Sequence, residues 1–97
     1  MNEPTRAEID ALTGPTLLEF GAGWCGYCQA AQPLIAEVTR QNPAVRHLKI
    51  EDGRGQPLGR SFRVKLWPTL ILVEGGAERG RAVRPNSVAD IEAIFAS

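Results

Sequence analysis

Both cysteines of the chain, Cys25 and Cys28, sit two residues apart at the point where an apolar run gives way to a helical repeat. No other feature narrows the possible folds as far, because the pair joins two different kinds of element. Thr16 to Ala22 (Thr-Leu-Leu-Glu-Phe-Gly-Ala) has the continuous apolar character of a strand buried on both faces, as in a parallel sheet. Beyond the pair, Ala31, Leu34, Ile35 and Val38 recur at i, i+3, i+4 and i+7, which predicts a helix from about Cys25 to Arg40. Asn42-Pro43 stops it, and Pro33 inside it is expected to kink it one to two turns after Cys28. A C-x-x-C pair at a strand-to-helix switch reads as a redox dithiol, whereas the same pair in a loop would be half of a metal site.

The remaining elements follow from caps and turns. Thr5 with Glu8 three residues on is a capping box opening a short helix, with Ala7, Ile9 and Leu12 as its less polar positions and Gly14-Pro15 as its end. Val45 to Ile50 reads as a strand with Leu48 and Ile50 toward the core, and Glu51 to Gly55 as a polar turn. Pro57 suits the first position of a short helix reaching about Phe62. Leu66 to Val73 reads as a strand opened by Trp67-Pro68-Thr69, and Gly75-Gly76 as a hairpin turn into a return strand near Glu78 to Val83. Ser87 and Asp90 cap a last helix whose stripe is Val88, Ile91, Ile94 and Phe95. The helical crossover makes the first two strands parallel and right-handed in connection, and the last two form an antiparallel hairpin.

A chain of 97 residues is one small domain, 1–97, able to bury a core without disulfide staples. Its formal net charge is zero, so no pull toward nucleic acid or an anionic membrane is expected. The charge is nevertheless uneven: Arg40 to Arg84 holds ten basic and four acidic residues, and the rest one arginine and seven acids. No apolar run approaches membrane-spanning length, and Met-Asn-Glu-Pro-Thr-Arg lacks the layout of a secretory signal, so a cytoplasmic protein is expected.

A thiol attacks as thiolate, and a helix N-terminus stabilises negative sulfur through its free N–H groups and dipole. Cys25 has that position, and Cys28, one turn later, lies within reach of a disulfide. Cys25 would then open a substrate disulfide and Cys28 would resolve the mixed disulfide. Other readings stand beside this one. The pair could be inert buried thiols, or a vestigial dithiol on an adaptor. It could also give two of four zinc ligands if His47 and a carboxylate converged on it or two chains shared the metal. Glu19 is an anomaly in its own right, since an unpaired carboxylate in a buried strand costs several kcal/mol, on the order of its desolvation, unless paired, wet or protonated.

Taken in register, these residues resemble the thioredoxin family over nearly the whole chain. Glu19, Phe20 and Trp24-Cys25-Gly26-Tyr27-Cys28 match its buried acid and active-site motif, Pro33 its helix-kinking proline, Trp67-Pro68-Thr69 its cis-proline motif, and Gly75-Gly76 its hairpin turn. The resemblance implies a thioredoxin fold of the α/β class. A minimal central mixed sheet of about four strands, lacking the family's extra N-terminal strand, would be flanked by helices on both faces. It also implies a cis Pro68 facing a redox-active Cys25/Cys28 disulfide, with neighbouring backbone groups free to pair with a substrate strand. Trp24, Gly26, Tyr27 and Trp67 would border the substrate groove. Glu19 would lie beneath Cys28 with a raised pKa and handle its proton. His47 falls where many members carry a lysine near the acid, so a Glu19–His47 proton-handling pair is one reading and a satisfied strand histidine the other.

Two departures bear on the chemistry. The central dipeptide Gly26-Tyr27 replaces the usual Gly-Pro, which touches the direction of electron flow. Arg84-Pro85 stands where thioredoxins keep a glycine beside the groove, adding bulk and charge. The resulting expectation is a monomeric protein-disulfide reductase serving electron transport and cell redox homeostasis. It would use no cofactor and no metal, bind no nucleic acid and no membrane, and be recharged by a partner electron-donor reductase. A disulfide oxidase or isomerase in an oxidising compartment, or a binding module with incidental redox activity, are the alternatives.

Overall fold

The computed structural model describes residues 3–96. Its elements are α1 (Arg6–Asp10), β1 (Thr16–Gly21), α2 (Gly26–Gln41), β2 (Arg46–Glu51), α3 (Pro57–Ser61), β3 (Thr69–Glu74), β4 (Ala77–Val83) and α4 (Val88–Phe95). One mixed sheet has the order β2-β1-β3-β4, with β1 parallel to β2 and antiparallel to β3, and β3 antiparallel to β4. This is the thioredoxin fold expected from the sequence, with helices on both faces.

Strand alternation divides the core into two layers. Leu17, Leu70, Leu72 and Ala82 point to one face, where Ala31, Ile35 and Val38 of α2 and Ile91 and Ile94 of α4 cover them. Leu18, Phe20, Ile50, Ile71 and Val73 point to the other, against Ile9 of α1 and Leu58 and Phe62 beside α3. Successive side chains of a strand point to opposite faces, so β1 and β3, buried on both, must be apolar at nearly every position. Glu19 shares the face of Leu17, which sets a carboxylate in the layer beneath α2.

The caps behave as their sequences dictate. Thr5 and Glu8 form both hydrogen bonds of a capping box, and Ser87 Oγ accepts from the Asp90 N–H at 3.1 Å. The hairpin turns through Gly75 and Gly76 at φ of 59° and 83°, a region closed to most side chains.

The expected strand from Leu66 begins instead at Thr69. Thr69 Oγ1 donates to the Leu66 carbonyl at 2.6 Å, and Pro68 has no N–H for the ladder, so Leu66, Trp67 and Pro68 form a turn before the sheet. Leu48 is half-buried where a core position was expected, because β2 is an edge strand with a single neighbour, β1.

Candidate active site

The C-terminal end of β1 delivers Cys25 to the start of α2. Cys25 is the N-cap of that helix, in an extended conformation, and its Sγ accepts from the Cys28 N–H at 3.2 Å. A sulfur held there takes the place of the oxygen that caps most helices and meets a donor the helix cannot satisfy internally. Both thiols are free and both are largely buried, with Ala22 and Trp67 packed against them. Gly21 makes room for the pair: a Cβ on it would lie 2.7 Å from Cys28 Sγ.

The two thiols are driven apart electrostatically. Burial pushes Cys25 up, but hydrogen bonds from Cys28 and from the Cys28 and Tyr27 N–H groups, with the charge of Arg84, hold it below an ordinary thiol. Burial pushes Cys28 up, and its hydrogen bond with Cys25 and the negative charges of Cys25 and Glu19 carry it to about 11.

Glu19 is 5 % exposed. Burial raises its pKa. Hydrogen bonds from His47 (Nε2 to Oε1, 2.8 Å) and Gln32 (Nε2 to Oε2, 2.8 Å), with the charges of Lys49 and His47, outweigh burial and leave it below the usual carboxylate. The expectation of a raised pKa is therefore corrected. The acid has two partners, from β2 and α2, that lie 28 and 13 residues away along the chain. The structure does bring His47 to Glu19. Gln32 also donates to the Cys28 carbonyl at 3.0 Å and accepts from Lys49 Nζ at 2.9 Å, tying the acid to the resolving end of the dithiol. A cavity of about 370 Å³ reaches Glu19 and Cys28 between α2 and β2.

On the opposite side, the Trp67–Pro68 peptide bond is cis and Pro68 is buried. Trp67 donates from Nε1 to Asp52 Oδ2 at 2.8 Å, and its ring meets that of Trp24 edge-on with centroids 5.5 Å apart. Trp24 and Tyr27 are 76 % and 61 % exposed, and Gly26 opens α2 between the cysteines, so these residues form an accessible rim. The backbone groups flanking Pro68 are not all free, as had been expected. The Trp67 carbonyl accepts from Arg84 Nε at 2.8 Å and the Pro68 carbonyl from the Arg84 N–H at 2.9 Å.

Sequence reasoning missed Gly21, Gln32, Lys49 and Asp52. Gln32 alone had a signal, lying one helical turn beyond Cys28 on the same face. The other three become neighbours of the site only through strand register and packing. Among the described residues, no group of three or more His, Cys, Asp or Glu is placed to hold a metal, and no helix is long and apolar enough to cross a membrane.

A family model described as thioredoxin matches residues 3–97. A solved structure of thioredoxin 2 from Pseudomonas aeruginosa PAO1, in its reduced form, superposes with a TM-score of 0.86 at 58% sequence identity, covering 96% of this chain and 86% of that one. The thioredoxin of Echinococcus granulosus is 33% identical over 89 residues, which is 90% of this chain and 83% of that protein. Thioredoxin H2-1 of Oryza sativa subsp. japonica is 34% identical over 67 residues, 69% of this chain, and the chain spans only 49% of that longer protein.

Proposed function

The chain belongs to the thioredoxin family, and from that premise we propose that it reduces protein disulfides by dithiol–disulfide exchange, with Cys25 as nucleophile and Cys28 as resolving thiol. The observation that carries the assignment is the asymmetry of the pair. Cys25 caps α2 and is pushed toward thiolate, whereas Cys28 is held as a thiol at about 11.

The Cys25 thiolate attacks one sulfur of the substrate disulfide, whose other sulfur leaves as thiolate and takes up a proton. Cys28 then gives its proton to the Glu19 side and attacks Cys25 Sγ. The second substrate sulfur leaves, and a Cys25–Cys28 disulfide remains. Two electrons have passed to the substrate, and the dithiol of a partner reductase returns them. Glu19, held by His47 and Gln32, is the first acceptor of that proton, and because its depressed pKa makes it a weak base it passes the proton on to solvent through the cavity rather than keeping it. Trp24, Gly26, Tyr27, Trp67 and Pro68 receive the substrate chain. The protein acts as a monomer, one domain over 1–97, in the cytoplasm, where a reducing thiol pool keeps the couple charged.

Reduction of insulin disulfides above the dithiothreitol background tests this. The native chain is expected to reduce them and Cys25→Ser to lose the activity, and a Cys25→Ser variant as fast as the native chain would sink the nucleophile assignment.

A further inference from the structure

Arg84 stands between the two walls of the site. Its guanidinium carbon lies 3.9 Å over the Tyr27 ring, and its Nε donates to the Trp67 carbonyl at 2.8 Å. Its backbone has φ of 49°, a left-handed conformation uncommon for a residue with a Cβ, and its N–H donates to the Pro68 carbonyl at 2.9 Å. Such a conformation persists only where surrounding contacts hold it, here the bonds to the Trp67 and Pro68 carbonyls and the stacking on Tyr27; Arg63 shares it at φ of 60°.

Arg84 carries its charge at the edge of the dithiol. Arg6, Arg40 and Arg81 each pair with a carboxylate, from Asp10, Glu37 and Glu78 respectively. Arg84 has no carboxylate partner among the described residues, and both groups its guanidinium touches, a carbonyl and an aromatic ring, are neutral. Those contacts place it beside the groove through which a substrate cystine must approach Cys25. A carboxylate on the incoming chain would give the guanidinium a bidentate, charge-assisted partner in exchange for a neutral acceptor, and would release the Trp67 carbonyl to the substrate backbone.

Resting on the exchange reaction above, we propose that Arg84 is a specificity-determining residue that favours disulfides flanked by acidic side chains and disfavours those flanked by basic ones. Its field also acts on Cys25, consistent with its position at the dithiol edge.

The test is a single turnover. Protein reduced beforehand and freed of reductant is mixed with cystine peptides of one length whose flanking residues are glutamate, serine or lysine. The second-order rate of dithiol oxidation is then followed. The glutamate peptide is expected to react roughly five- to tenfold faster than the lysine peptide at low salt, with the ratio shrinking as salt is added. Arg84→Gln should bring the ratio close to one, and Arg84→Lys should keep part of it. Arg84→Gly, which suits the left-handed backbone and removes the strain, should lose the preference without loss of fold. Damage to the fold would slow all three peptides alike, so the ratio reads selection itself. Equal rates for the native chain, or a ratio unaltered in Arg84→Gln and Arg84→Gly, overturn the proposal while exchange with the serine peptide upholds the reductase reading. No exchange with any peptide removes both.

Discussion

At the scale of single residues, the resolving step is governed by what happens to Cys28 when Cys25 leaves the thiolate state. Two of the influences that raise Cys28 to about 11, its hydrogen bond with Cys25 and the charge on Cys25, vanish once Cys25 is bound in a mixed disulfide. The Glu19 charge remains, and so does its capacity to take the proton. Alkylation of the reduced protein should therefore modify Cys25 first, with a rate midpoint below that of an ordinary thiol near pH 8.5. Cys28 should stay unmodified across the same range. Peptide mapping after partial alkylation checks this, and equal labelling would refute it. Glu19→Gln should slow resolution of the mixed disulfide more than its formation. The same variant has a thermodynamic signature. The folded-state pKa of Glu19 is depressed, so its contribution to stability is complete above the unfolded value of about 4.3 and is lost as pH falls through the folded pKa. Urea unfolding of the native chain and Glu19→Gln at neutral pH and near pH 3 should show the native chain losing more stability with acid. A parallel loss in both would mean that Glu19 is not held as an ion. Gly21→Ala tests the steric fit, because its Cβ would meet Cys28 Sγ at 2.7 Å. Displacing that sulfur should cost about 1–3 kcal/mol of stability and slow resolution, and a variant identical to the native chain in both would show that the sulfur moves freely.

At the scale of elements, legibility tracked how local the determining interactions are. The joint between β1 and α2 could be read because an apolar run, a thiol N-cap and a helical stripe follow one another within some 25 residues, each signal lying inside its own element. The capping residues Thr5 and Ser87 could be read for the same reason, since the bonds they form span three residues. Ser87→Ala should accordingly destabilise the fold by about 1 kcal/mol, measured by denaturant unfolding, and no change would mean that packing of Ile91 and Ile94 alone holds α4. The start of β3 could not be read, because the Leu66-Trp67-Pro68 turn depends on a side-chain bond from Thr69 that strand propensity does not encode. The ionisation of Glu19 was misjudged in sign for a related reason. Burial is written in the strand that carries the acid, whereas His47, Gln32 and Lys49 reach it only through the parallel pairing of β1 with β2 and the seating of α2. Asp52 likewise finds Trp67 across 15 residues of chain. Arg84 was visible as a departure from the family's glycine, but its contacts with Tyr27 and Trp67 required the loop after β4 to be placed.

At the scale of the whole molecule, the dithiol at the start of α2 lies between the proton acceptor on one side and the substrate rim on the other. Glu19, His47 and Gln32 approach from β1, β2 and α2, with the cavity of about 370 Å³ as the opening to solvent. Trp24, Tyr27, Trp67 and Arg84 lie at the opposite wall. The division has a thermodynamic consequence for the direction of electron flow. Stabilising the Cys25 thiolate favours the reduced state and makes a couple more oxidising, while holding Cys28 as a buried thiol of raised pKa resists a second ionisation. The first effect is opposed in part by the burial of Cys25 itself and depends on a cap and one arginine rather than on several cations. Gly26-Tyr27 adds one N–H donor toward Cys25, from Tyr27, and no charge. The couple should therefore stay reducing, with a potential nearer the roughly −270 mV of thioredoxin than the roughly −180 mV of disulfide isomerase. Equilibration of the Cys25/Cys28 pair against defined dithiothreitol ratios, read by alkylation mass shift, measures it directly. A value at or above the isomerase range would reverse the direction of electron flow and make the chain an oxidant of thiols. Arg84→Gln, by withdrawing the Arg84 charge from beside Cys25, should shift the couple further toward the reducing side, and a shift the other way would show that the arginine favours the disulfide instead.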